Sequence, residues 1–148
     1  MYDFFKPFIG LKEGRTRFHA LTEADVERAE KKLGFAFPNQ LRRFYLDVGY
    51  GGWRKGVDDT EETYNNNFFN DPETIADIVT DRDHYRRPHD GFRPGEMPFF
   101  EVNLHDFLTM KPQSSDPNIV YDGGKPMGDL SHFLTKLYSH AQFWLANK

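Results

Sequence analysis

The 148-residue sequence contains no cysteine. That excludes a disulfide framework, a thiolate zinc site and a cysteine nucleophile. It also lacks any apolar run approaching the roughly 20 residues a membrane helix needs. The opening residues Met1, Tyr2, Asp3, Phe4, Phe5, Lys6, Pro7, Phe8 and Ile9 are apolar but short. They carry an acid where a signal peptide is basic, and Pro7 interrupts them. No Asn-x-Ser/Thr acceptor occurs. A soluble, cytoplasmic protein without membrane contact is therefore expected. A basic excess is missing too: 23 acids stand against 19 bases, a formal net charge of −4. This excludes a generally basic nucleic-acid binder, and no direct nucleic-acid contact is expected.

Rings are abundant: 15 Phe, 7 Tyr and 2 Trp. Leu, Ile, Val and Phe make up 36 of the 148 residues. With so small a net charge, that fraction argues against intrinsic disorder. A core of a few large rings rather than many small aliphatics is expected. The length fits one domain spanning residues 1–148, and no repeat, low-complexity tract or linker divides it.

Charge is unevenly placed. Residues 56–81 hold eight acids (Asp58, Asp59, Glu61, Glu62, Asp71, Glu73, Asp77 and Asp81) and no Lys or Arg. The remainder carries a net +4. Arg82, Arg86, Arg87 and Arg93 follow at once, with only Asp83 and Asp90 among them. Such runs are commonly solvated loop charges, but clustered acid also steers a basic partner and raises its association rate.

Periodicity places the elements. Thr22 as N-cap with Asp25 three residues on forms a capping-box pattern. Val26, Ala29 and Leu33 then give a buried stripe, and Gly34 ends the helix. Pro38 opens a second helix with Leu41, Phe44, Tyr45 and Val48 on one face, and Gly49 to Gly52 read as its closing turn. From Trp53 to Asn70 the pattern weakens, and either short strands within 53–57 and 64–69 or a functional loop is expected. Asp71 and Pro72 start a third helix bearing Ile75, Ile78 and Val79. Residues 82–96 read as loop, 99–102 as strand, 104–110 as ambiguous and 111–117 as loop. Residues 118–121 form a strand closed by a turn at Asp122, Gly123 and Gly124. A last helix from about Asp129 carries Leu130, Phe133, Leu134, Leu137, Tyr138, Ala141, Trp144 and Leu145.

Few constellations suit catalysis. His89-Asp90 and His105-Asp106, with His84, have the composition of a metal-dependent phosphohydrolase, because imidazole and carboxylate together hold a divalent ion. The first pair lies in a Pro/Gly-rich loop, where plain surface histidine is the ordinary reading. Residues 122–128 before a helix invite a phosphate-loop reading, but the spacing is neither a Walker loop nor a dinucleotide fingerprint. Asp129 would also repel phosphate there. No serine sits in a Gly-x-Ser-x-Gly elbow, and Ser131 and His132 are neighbours on a helix that point apart. No catalytic residue, metal site or cofactor is assigned.

Residues 21–46, reading Leu-Thr-Glu-Ala-Asp-Val-Glu-Arg-Ala-Glu-Lys-Lys-Leu-Gly-Phe-Ala-Phe-Pro-Asn-Gln-Leu-Arg-Arg-Phe-Tyr-Leu, resemble the SUKH superfamily of Smi/Knr-like proteins. Glu30, Leu33, Gly34, Pro38, Leu41 and Phe44 match its pattern, as do Gly51 and Gly52. Phe37 replaces the family's Leu before Pro38, and Tyr50 stands where Asn often precedes the glycine pair. The resemblance implies one α+β domain: a mixed or antiparallel sheet, a packed N-terminal helix pair and a C-terminal helix. It further implies a non-catalytic bacterial immunity protein that binds and neutralises a cognate polymorphic toxin, often a nuclease. The acidic residues 56–81 then supply the candidate toxin contacts: Asp58, Asp59, Glu61 and Glu62 with the rings of Trp53, Tyr64 and Phe69. The alternatives are a scaffold or regulatory protein-binding domain, and a metal-dependent hydrolase using His84, His89, Asp90 and His105.

Overall fold

The computed structural model describes residues 2–11, 16–53, 67–80, 93–103 and 106–140. Among these, seven strands make one sheet in which each pairs antiparallel with the next. They are β1 (Arg17–His19), β2 (Tyr50–Gly52), β3 (Phe68–Phe69), β4 (Met97–Asn103), β5 (Asp106–Met110), β6 (Ile119–Asp122) and β7 (Lys125–Asp129). The helices are α1 (Glu23–Leu33), α2 (Asn39–Asp47), α3 (Pro72–Thr80) and α4 (Leu130–Ser139). A 3-10 segment, Asp3–Phe8, precedes β1. The architecture is α+β, as the element pattern and the resemblance led us to expect.

The helix boundaries follow local chemistry. The Thr22 hydroxyl accepts the Asp25 amide at 3.2 Å, and the Asp25 carboxylate accepts the Thr22 amide at 2.9 Å. That exchange satisfies two amides that a helix start leaves without partners. Gly34 at φ +87° ends α1 in the left-handed conformation. Pro38 is the N-cap of α2 rather than its first residue. Leu41, Phe44, Tyr45 and Val48 are all buried, the face expected of this helix. The Asp71 carboxylate caps α3 through the Thr74 amide at 3.2 Å. Asp129 caps α4, accepting the His132 amide at 2.9 Å.

Strand alternation builds the core. Phe18, Phe69, Phe100 and Leu108 face one side of the sheet and are fully buried. Against them pack Phe44 of α2, the α4 stripe of Leu130, Phe133, Leu134 and Leu137, and Phe5 of the 3-10 segment. The contacts are largely edge-to-face: Phe5 meets Phe18, Phe44 and Trp53 at 5.6, 5.8 and 4.8 Å between centroids. The ring-rich composition thus becomes a ring-built core. Tyr138 is 39% exposed, yet its ring stacks on Trp53. Ala141, Trp144 and Leu145 lie outside the described residues.

Three elements differ from the sequence reading. Tyr50, Gly51 and Gly52 form β2 rather than the turn that ends α2. A Cβ on Gly51 would lie 2.2 Å from the Arg17 carbonyl oxygen, so glycine here permits β1 to approach rather than the chain to turn. The expected turn at Gly123 and Gly124 is present, but the chain then returns as β7, a strand that the sequence pattern did not reveal. Its Pro126 is tolerated because β7 is an edge strand. The ambiguous stretch 104–110 contains β5. Trp53 stands just past β2, and the rest of 53–57 lies outside the described residues.

Candidate binding surface

Trp53 and Asn67 bound the segment that holds the first acidic cluster. The Trp53 amide donates to the Asn67 carbonyl at 2.9 Å, and the Asn67 side-chain amide donates back to the Trp53 carbonyl at 3.0 Å. The Trp53 indole N–H donates to the Leu137 carbonyl at 2.9 Å, tying this point to α4. Residues 54–66 therefore leave and re-enter the described fold at one place. Asp58, Asp59, Glu61, Glu62 and Tyr64, expected to contact a toxin, lie outside the described residues. So do His84, His89, Asp90 and His105.

Two of the expected contact rings are not at the surface. Trp53 and Phe69 are both 0% exposed. Phe69 alternates onto the core face of β3, 4.6 Å from Phe44, and Trp53 is enclosed by Phe5, Phe8, Phe18 and Tyr138. Neither can meet a partner as an exposed ring. Proximity to acids in sequence says nothing of which sheet face a side chain takes.

The opposite face carries rings that sequence reasoning did not single out. His19 and Tyr50 are cross-strand partners with rings stacked at 5.1 Å, and Tyr50 meets Phe68 edge-on at 6.4 Å. His19 is exposed and the other two are half-buried. The signal was the period of two: Phe18 and Phe69 inward require their neighbours His19 and Phe68 outward.

Among the described acids of the 56–81 region, two have work within the fold. Asp71 caps α3 and also accepts the Thr74 hydroxyl at 2.6 Å. Asp77 pairs with Lys32, joining α3 to α1. Glu73 is exposed on the first turn of α3. No group of three or more His, Asp or Glu placed to hold a metal occurs among the described residues.

The family-pattern residues cluster around the helix pair. Glu30 accepts the Phe37 amide at 2.8 Å and pairs with Arg42, bracing the α1–α2 connection across Gly34 and Pro38. Leu41 and Phe44 are core, Leu33 packs on it, and Gly51 lies against β1. A second network joins α2 to α4. Gln40 accepts the Ser131 amide at 2.9 Å and donates to Asp129 at 3.1 Å, and its own amide reaches Asn118 at 3.0 Å. The Ser131 hydroxyl meets that of Tyr2 at 2.9 Å, away from His132. Burial pushes the Tyr45 hydroxyl well above its ordinary pKa, with the Asp71 charge acting in the same direction. It donates to the Asn70 carbonyl at 2.6 Å.

Comparison with known proteins identifies this framework. The model of the SMI1 / KNR4 family (SUKH-1) matches residues 20–146. A protein of Bacillus subtilis (strain 168) named "Immunity protein YxxD" is 27% identical over 134 residues, spanning 86% of this chain and 87% of that protein.

Proposed function

The chain belongs to the SMI1 / KNR4 family (SUKH-1), and we propose that it is a non-catalytic immunity protein that binds and neutralises a cognate bacterial toxin. The observation that carries this reading is the nearly end-to-end similarity to a protein named for immunity. An immunity protein acts by occupying its partner, so its working parts are a rigid body and a complementary surface. The braced helix pair and ring-built core supply the rigid body.

The toxin contacts are proposed to be Asp58, Asp59, Glu61 and Glu62, with Tyr64 beside them. A nuclease toxin must attract a polyanion and therefore presents basic side chains at its groove. Four carboxylates within five residues are complementary to such a groove and accelerate encounter. Trp53 and Phe69, both buried, are left out of the proposed contacts. The setting is the cytoplasm of the toxin-producing cell.

The test is stopped-flow association of the purified chain with the toxin encoded beside its gene, across a range of salt. Association is expected to slow as salt rises. A variant with Asp58→Asn, Asp59→Asn, Glu61→Gln and Glu62→Gln is expected to associate about tenfold more slowly at low salt. An unchanged rate at low salt would overturn the surface, and the absence of any complex would overturn the immunity reading.

A further inference from the structure

The Trp53–Asn67 clamp is buttressed by residues that precede the family-matched region, which begins at residue 20. Phe5 and Phe8 both meet the Trp53 indole edge-to-face, with centroids 4.8 and 5.0 Å away and planes at 89° and 87°. Edge-to-face pairs of this kind are favourable beyond the area they bury. Their segment is fixed at further points. The Tyr2 hydroxyl meets Ser131 at 2.9 Å, the Phe4 ring lies 4.7 Å from Tyr138, and the Gly10 amide donates to the Phe18 carbonyl at 2.8 Å. Ile9 adds a parallel bridge to Phe18.

The clamp itself is a place that needs support. Asn67 holds φ at +47°, a left-handed conformation uncommon outside glycine, and it is 1% exposed. Such a conformation persists where the surroundings impose it. The surroundings here are the Trp53 backbone on one side and the sheet on the other.

We propose that residues 2–9 form a strap. By wedging Phe5 and Phe8 against the Trp53 indole, the strap keeps the hydrogen-bonded Trp53–Asn67 clamp closed. The effect is local: the strap touches β1, Trp53, α2 and α4, whereas α1 packs against α3 and α2. The strap acts in the free protein, so its test needs no toxin and stands apart from the immunity reading.

The experiment is residue-resolved amide hydrogen exchange on the full chain and on Phe8→Ala. Phe8 is half-buried, unlike Phe5, so its truncation spares the centre of the core. Phe8→Leu, which keeps apolar bulk but removes the aromatic partner of the indole, is measured beside it so that the comparison does not depend on the larger truncation folding. The Trp53 amide is expected to exchange about tenfold faster or more in Phe8→Ala, and faster in the same sense in Phe8→Leu. Amides of α1 are expected to change less than about twofold. Unchanged exchange at Trp53 in both variants would overturn the strap. So would an equal acceleration at every amide, since the segment would then be ordinary core.

Discussion

Glu30 and Arg42 close the α1–α2 connection as a pair, with the guanidinium Nε 3.1 Å from one carboxylate oxygen and 3.3 Å from the other. The second oxygen also accepts the Phe37 amide at 2.8 Å. The side chains are 14% and 27% exposed, sheltered enough that the pair is not a screened surface contact and wet enough to avoid the full desolvation cost. Glu30→Ala leaves the Phe37 amide without this acceptor and Arg42 with Glu23 at 4.0 Å. A loss of about 2 kcal/mol is expected. Glu30→Gln keeps an oxygen for the amide and is expected to lose about 1 kcal/mol. Urea unfolding reads both, as midpoint shifts at constant slope.

Gly51 and Gly124 separate two roles of glycine. Both hold positive φ, +146° and +87°, but an added Cβ meets the Arg17 carbonyl oxygen at 2.2 Å in the first and nothing within 4 Å in the second. Gly124→Ala is expected to cost only backbone strain, about 1–2 kcal/mol. Gly51→Ala must also part β2 from β1, and a loss of more than about 3 kcal/mol is expected. Thermal unfolding of the two variants side by side checks the difference.

Asp129 gives the fold a defined response to acid. Its carboxylate accepts the His132 amide and the Gln40 side-chain amide, and these hold its pKa below the ordinary 3.8. The unfolded chain therefore binds the proton more readily than the folded one. The contribution is fully present above the ordinary value and is lost as pH falls through the lower, folded value. Asp129→Asn keeps a capping oxygen but removes the titration, so the acid limb of a stability–pH curve is expected to flatten. Asp129→Ala also loses the cap and is expected to cost about 1 kcal/mol at neutral pH.

Much of the helical part was legible in the sequence because it is written in local chemistry. Thr22 and Asp25, Gly34, Asp71 with Pro72, and Asp129 mark boundaries through hydrogen bonds that span only a few residues. The sheet was harder, because its determinants are contacts between distant residues. Gly51 looks like a turn residue until Arg17 is known to lie against it. Pro126 and Gly128 disguise β7, which an edge position allows. The candidate site was legible only as a charge distribution. Trp53 and Phe69 stand beside the acids in the chain, but pairing with β2 and β4 turns Phe69 inward, and the strap and α4 enclose Trp53. Pro7 and Phe8 gave no sign that their segment would cover that indole.

The central claim is neutralisation of a cognate toxin, and growth of a sensitive bacterial host producing the toxin encoded beside this gene tests it most directly. Host cells making the toxin alone are expected to arrest, and cells that also make this chain are expected to grow as if no toxin were present. Arrest in the presence of folded chain at or above the level of the toxin would contradict the account.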